Sequence, residues 1–193
     1  MLHLREDRRG QIALSEDPEA RLIDLAIHEE VSLAAYDAAW VARFVAERAR
    51  LHAEFPQLLE IEHFGSTAVH GMPAKPIIDI LAGVESMAIA DALFEPILAF
   101  GYTTSRAFNA MLADRRWFMR CANGRRTHHL HVVVFEGQAW TARIRFRDML
   151  RYSTLLALQY AELKSALAVR YRHDREAYSE AKSAFVAAVV ARA

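Results

Sequence analysis

The sequence predicts an α+β domain in which helices pack on one face of a small mixed sheet. Three observations lead there: a helical apolar stripe ahead of any strand, short apolar strands around a Gly/Pro-punctuated loop and an Asn-Gly hairpin, and a helical tail after Gly137. A length of 193 residues with 53% hydrophobic content allows one sizeable core. Residues 1–30 read as an extension, with the charge run Arg5, Glu6, Asp7, Arg8, Arg9 and a short apolar stretch at Leu22–Ile27. The domain itself is expected over 31–193.

From Ser32 the pattern is helical. Leu33, Tyr36, Trp40, Phe44 and Arg48 recur at three or four residues, Val41, Val45 and Leu51 widen the stripe, and Pro56 ends it. Ile61–Phe64 then reads as a short strand, Gly65–Pro76 as a loop and Ile77–Val84 as a buried strand. Met87–Leu98 follows as a helix in which Pro96 marks an early end. Asn123-Gly124 tolerates positive φ at both positions, so it predicts a two-residue turn between Trp117–Cys121 and Arg125–Phe135. Arg143–Leu150, Leu155–Tyr171 and Arg175–Val190 read as helices. Asp174 caps the last of these, and Tyr178, Ala181, Phe185 and Val189 form its apolar stripe.

Composition narrows the function classes. Lys+Arg 24 balance Asp+Glu 24, so bulk charge supports neither a nucleic-acid coat nor a polybasic membrane anchor. Nearly all the basic residues are Arg, which fits a Lys-poor, Ala-rich composition. Cys121 stands alone, the first residues are charged, and no window reaches the roughly 18 unbroken apolar residues of a membrane span. A cytoplasmic protein is expected. The Arg/Ala-rich helical tail suits packing against a second copy or a protein partner.

Three polar interruptions of apolar strands stand out. In Ile61–Thr67 a strand runs into Gly65-Ser66-Thr67, where backbone can approach a ligand and N–H and hydroxyl donors suit a phosphate; an ordinary turn is the plain alternative. In Pro76–Leu81, Asp79 shares a strand face with Ile77 and Leu81. A carboxylate there must be paired, bind a cation or lie at the sheet's open face, because burying it alone costs several kcal/mol. An ion pair with Lys75 or an arginine would satisfy it structurally. In Thr127–Val132, His129 and His131 share a face with Val133. Two such imidazoles suit a shared metal or phosphate, with His63 joining if the strands are neighbours, or else simple bonding to backbone.

These stretches carry a family resemblance. Ile61–Val69 (IEHFGSTAV) with Gly71–Ile80 (GMPAKPIIDI), His128–Val132, Phe146-Arg147-Asp148, Asp174–Ala184 (DREAYSEAKSA) and the early Tyr36, Asp37 and Trp40 resemble the signature of the GrpB family, over about residues 31–190. The resemblance implies a nucleotidyltransferase-like fold, a small mixed sheet backed by helices with a C-terminal helical tail. In that superfamily a Gly-Ser turn holds the nucleotide's phosphates, and a following strand offers two carboxylates to Mg²⁺. Gly65-Ser66 and Asp79 stand in that order, whereas Leu81 occupies the second carboxylate position and His70 replaces a common proline. Glu136 is a candidate for a later acid.

The expected function is therefore a nucleotidyltransferase-like enzyme that moves a nucleotidyl or phosphoryl group from a nucleoside triphosphate to a small acceptor. Gly65, Ser66 and Thr67 would hold phosphate and Asp79 would hold Mg²⁺. Lys75 or Arg147 would neutralise developing charge, and His131 or His129 would orient or deprotonate the acceptor, with His63 nearby. The alternative is a non-catalytic accessory module on the same fold, as the family's fusions to dephospho-CoA kinase suggest; Leu81 favours it. A histidine metal site of His63, His129 and His131 is the third reading.

Overall fold

A computed structural model describes residues 30–191. The expected extension over 1–30 lies outside them except for Glu30. The order of elements is α1 (Ala39–Glu54), β1 (Glu60–Phe64), a 3-10 turn (Ser66–Ala68), β2 (Ile78–Val84), α2 (Met87–Ala92), α3 (Phe94–Ala99), α4 (Arg106–Ala110), β3 (Arg115–Ala122), β4 (Arg125–Val134), α5 (Gln138–Tyr152), α6 (Thr154–Arg170), α7 (Arg175–Glu180) and α8 (Ser183–Val190). The α+β class and the helical tail are as the sequence predicts.

The four strands form one sheet in the order β1-β2-β4-β3. β1 runs antiparallel to β2, β2 parallel to β4, and β3 antiparallel to β4, so the sheet is mixed. The parallel pair requires a long crossover, supplied by α2 to α4 and β3. Residues opposite one another share a face. Phe64 pairs with Asp79, Asp79 with His129, and Leu81 with His131, which in turn pairs with Trp117.

One sheet face carries the main apolar core. Ile78, Ile80, Ala82, Val84, Leu130, Val132 and Phe118 pack against Trp40, Phe44 and Leu51 of α1, Ala90 of α2 and Ile97 of α3. On the other face Leu81 and Val133 are sealed by Trp140 of α5. The half of that face bearing Asp79, His129 and His131 is not sealed in this way, and a cavity opens there.

Several boundaries differ from the sequence reading for local reasons. α1 begins at Ala39 rather than Ser32, because Ala34 exchanges backbone hydrogen bonds with Ala74 at 2.8 and 3.0 Å and keeps the chain extended. The Asp37 carboxylate then accepts from the Ala39 N–H at 2.9 Å. Val41 and Val45 face outwards, whereas Glu47 is buried in their stead, held by Tyr102 Oη (2.8 Å), Arg120 (2.7 Å) and Arg50 (2.7 Å). The helix expected over Met87–Leu98 is two, with Leu93 between them. Pro96 falls in the first turn of α3, where its missing N–H leaves no helix bond unmade, so it belongs to a beginning and not an end. Asn123 (φ 53°) and Gly124 (φ 71°) form the expected hairpin turn. Asp174 caps α7 by accepting from Ala177 N at 2.9 Å, also as expected, but the helix read over Arg175–Val190 breaks at Ala181-Lys182.

Candidate functional site

The site grows from the turn after β1. Gly65 adopts φ 71° and ψ −169°, a conformation open essentially to glycine. A Cβ there would lie 2.3 Å from Asp79 Oδ2, so glycine also permits a close approach between the turn and the carboxylate. Ser66 and Thr67 follow in the 3-10 turn. The Thr67 hydroxyl donates to the Ile77 carbonyl oxygen at 3.4 Å and lies 3.0 Å from His63 Nε2, which fastens the turn to the start of β2.

Asp79 accepts from His129 Nδ1 at 3.1 Å, with 28% of its side chain exposed against 13% of the imidazole. Its satisfying partner is thus a histidine and not the Lys75 or arginine considered from sequence. Burial opposes the ionised carboxylate, yet the hydrogen bond from His129 and the surrounding positive charge prevail and hold its pKa below the ordinary value. Burial lowers the His129 pKa despite that bond, and it lowers His131 well below the usual range, with Arg143 adding repulsion. Both imidazoles are therefore neutral near pH 7. With Nδ1–H directed to Asp79, His129 keeps a lone pair on Nε2, an atom that is buried and has no hydrogen-bond partner. The His131 ring meets Phe64 edge-on at 5.1 Å.

These groups line a cavity of about 380 Å³. Its walls include Ser66, Thr67, Lys75, Asp79, His129 and His131 from the set expected on sequence. Two members of that set lie elsewhere. His63 pairs with Ile80 on the opposite sheet face and stacks on Phe44 at 4.7 Å, where burial pulls its pKa down to about 4. It cannot join His129 and His131 around one ion, because β2 separates β1 from β4 and the side chains point to opposite faces. Arg147 is buried beneath β1, donating to Glu62 (2.5 Å), to the His63 carbonyl (2.9 Å) and to Asp148 (2.7 Å). It fastens α5 to the sheet. Glu136 lies at the far end of β4, in a different cavity beside Trp140.

The remaining wall comes from the C-terminal helices and from β3. Lys164 of α6, Arg175 and Tyr178 of α7, Lys182 at the α7–α8 break, and Arg115 and Trp117 of β3 all line it, with Phe108 of α4 at the rim. Five basic side chains thus surround a single carboxylate, Asp79. Lys75 and Lys182 lie over the Tyr178 ring at 4.9 and 4.1 Å, and Lys164 donates to the Pro73 carbonyl at 2.5 Å. Burial depresses all three ammonium groups, Lys75 and Lys164 to about 7 with repulsion from Lys182 added, and Lys182 to about 8 against the opposing pull of Asp79. The sequence contains three lysines in all, at 75, 164 and 182, and every one faces this cavity. That count is the signal that could have found Lys164 and Lys182. Tyr178 was hidden by its place in an apolar stripe.

A model of the GrpB protein family matches residues 30–192. Glutamate-rich protein GrpB of Alkalihalophilus pseudofirmus is 37% identical over 160 residues, which cover 81% of this chain and 92% of that protein. The UPF0157 protein PA4798 of Pseudomonas aeruginosa is 40% identical over 162 residues, covering 81% of this chain and 65% of the relative. The crystal structure of the conserved protein GrpB from Enterococcus faecalis shares the fold with a TM-score of 0.73 at 32% identity, covering 83% of this chain and 96% of that one. On these grounds the chain belongs to the GrpB family.

Proposed function

We propose that the chain binds a nucleoside triphosphate in the cavity between the sheet and the C-terminal helices, and transfers a nucleotidyl or phosphoryl group from it to a small acceptor. The observation that carries this reading is the charge of the cavity: five basic side chains and one acid line it together with Ser66 and Thr67 of the turn. Such a wall is complementary to a polyanion. Phe108 and Trp117, edge to face at 5.5 Å, add an aromatic surface suited to a base.

In this reading His129 is the general base. Neutral, and oriented through Nδ1 by Asp79, it takes the acceptor's hydroxyl proton on Nε2, an atom buried in the ligand-free chain that ligand entry has to uncover, as the acceptor oxygen bonds to phosphorus. The phosphorus–oxygen bond to the departing phosphate or pyrophosphate breaks, and the lysines stabilise the charge that gathers there.

The Mg²⁺ implied by the family resemblance meets a poor donor set. Asp79 is already bonded to His129, and Leu81 is fully buried against Val133 and Trp140 where a second carboxylate would stand. Among the described residues no three His, Cys, Asp or Glu side chains group as a metal site. The chemistry therefore falls to the chain's own side chains. Leu81 also favours the accessory-module reading, but an apolar plug would have closed the cavity, whereas Asp79 and five basic side chains stand among its aromatic and aliphatic walls.

Calorimetric titration of ATP, GTP, CTP and UTP into the full chain tests the proposal, alongside Ser66→Ala and Lys75→Ala. Binding by the wild type that both variants weaken is the expected result. Failure of every nucleotide to bind the wild type refutes it.

A further inference from the structure

We infer that Lys75, Lys164 and Lys182 together form a polyphosphate seat that replaces a divalent cation, so that the ligand binds as the metal-free anion. This deepens the proposed function and rests on it.

Three independent observations converge. The first is compositional. The chain carries 24 basic residues, of which three are lysine, and all three line the same cavity. Everywhere else a positive charge is needed, arginine supplies it. Arginine offers a broad planar fork, whereas lysine is a compact point charge on a flexible stem, able to direct three donors at tetrahedral phosphate oxygens in a confined space.

The second is the lack of internal neutralisation. Among the described residues none of the three lysines forms an ion pair. Their contacts are a carbonyl oxygen and the Tyr160 ring for Lys164, and the Tyr178 ring for Lys75 and Lys182. Lys164 is almost wholly buried, at 1% exposure. Three ammonium groups gathered around one carboxylate, Asp79, which is itself bonded to His129, leave an excess of positive charge that an incoming polyanion relieves.

The third is the donor set around Asp79. One histidine-bonded acid, with buried Leu81 two residues on, leaves no pair of carboxylates to hold a cation against the phosphates. A metal bridges phosphate oxygens and spreads their charge. Here three lysines arriving from three elements, the loop before β2, α6 and the α7–α8 break, line the same cavity and would spread that charge directly.

The test is a titration of ATP and of inorganic tripolyphosphate into the full chain, once in excess Mg²⁺ and once in EDTA. Wild type is compared with Lys182→Gln, Lys182→Arg and Asp79→Asn, each checked for folding by circular dichroism. Both ligands should bind in EDTA at least as tightly as in Mg²⁺. Lys182→Gln should weaken them by roughly tenfold, the scale of one charge-assisted contact. Lys182→Arg should fail to restore full affinity, and Asp79→Asn, which removes the one negative charge, should tighten binding. Binding that requires Mg²⁺ and vanishes in Asp79→Asn would overturn the inference while leaving a nucleotide site intact. Binding of neither ligand under either condition would overturn the proposed function along with it.

Discussion

Replacing Gly65 by alanine probes the joint on which the site depends. The backbone there lies at φ 71° and ψ −169°, and forcing a residue with a side chain into that region costs about 1–3 kcal/mol. The new Cβ would also stand 2.3 Å from Asp79 Oδ2 and 3.0 Å from its Cβ and Cγ, so the carboxylate must swing away. Its bond to His129 then goes, worth about 1.5–3 kcal/mol for a charged acceptor. The sum is about 2.5–6 kcal/mol, a large share of the 5–15 kcal/mol typical of a domain. Gly71 provides the control. Its φ is 74°, but nothing lies within 4 Å of a Cβ built on it, so Gly71→Ala should lose only about 1–2 kcal/mol of backbone conformation. Urea unfolding followed by circular dichroism gives both values. Gly65→Ala should be the more destabilised by at least about 1.5 kcal/mol, the lower end of the lost bond, and the gap should shrink in an Asp79→Ala background. Equal losses at the two glycines would refute the claim that the turn is built against the carboxylate.

Arg147→Ala should cost about 1–3 kcal/mol in urea unfolding, since it frees partly exposed Glu62 and Asp148 and leaves the His63 carbonyl unbonded, while nucleotide affinity stays within about twofold. A selective loss of affinity would return Arg147 to the binding machinery. Folding stability should rise with pH between 4 and 6.5, because His63 titrates near 4 when folded and near 6.5 when unfolded; the unfolded chain binds the extra proton there, with a slope of up to about 1.4 kcal/mol per pH unit. Urea midpoints that show no such slope, or the same slope after His63→Leu, would rule this out. The depressed lysines act in opposite senses on fold and ligand. Ligand-free stability should increase as pH rises above 7 towards 10, since the unfolded lysines then hold protons that the folded ones have released, whereas polyanion affinity should fall as pH rises through 7 and 8. Thermal unfolding with and without tripolyphosphate over that range separates the two, and an affinity that climbs with pH would contradict the seat.

Among the described residues no helix is long and apolar enough to cross a membrane, in keeping with the absence of a long apolar run in the sequence. Most of what was legible in advance was local. The hairpin followed from Asn123-Gly124, the α7 cap from Asp174, and the shared faces of Asp79 with Leu81 and of His129 with His131 from the two-residue period of a strand. Elsewhere a neighbour in the fold overruled the local preference. Ala74 held Ala34 extended against a helical pattern, and Glu47 was drawn inside by Tyr102 and Arg120 while Val41 and Val45 turned to solvent.

The chain order alone determined that Gly65-Ser66, Asp79 and the His129/His131 pair would be the polar intrusions into an apolar sheet, since residue type and strand period are properties of adjacent positions. Only the tertiary structure decided that His63 and Arg147 serve the scaffold, and that Lys164, Arg175 and Lys182 close the cavity from more than 80 residues beyond Asp79. The physical reason is that a strand's faces are set by its own geometry, whereas which helix comes to lie over a face depends on the packing of the whole core. No local period carries that information.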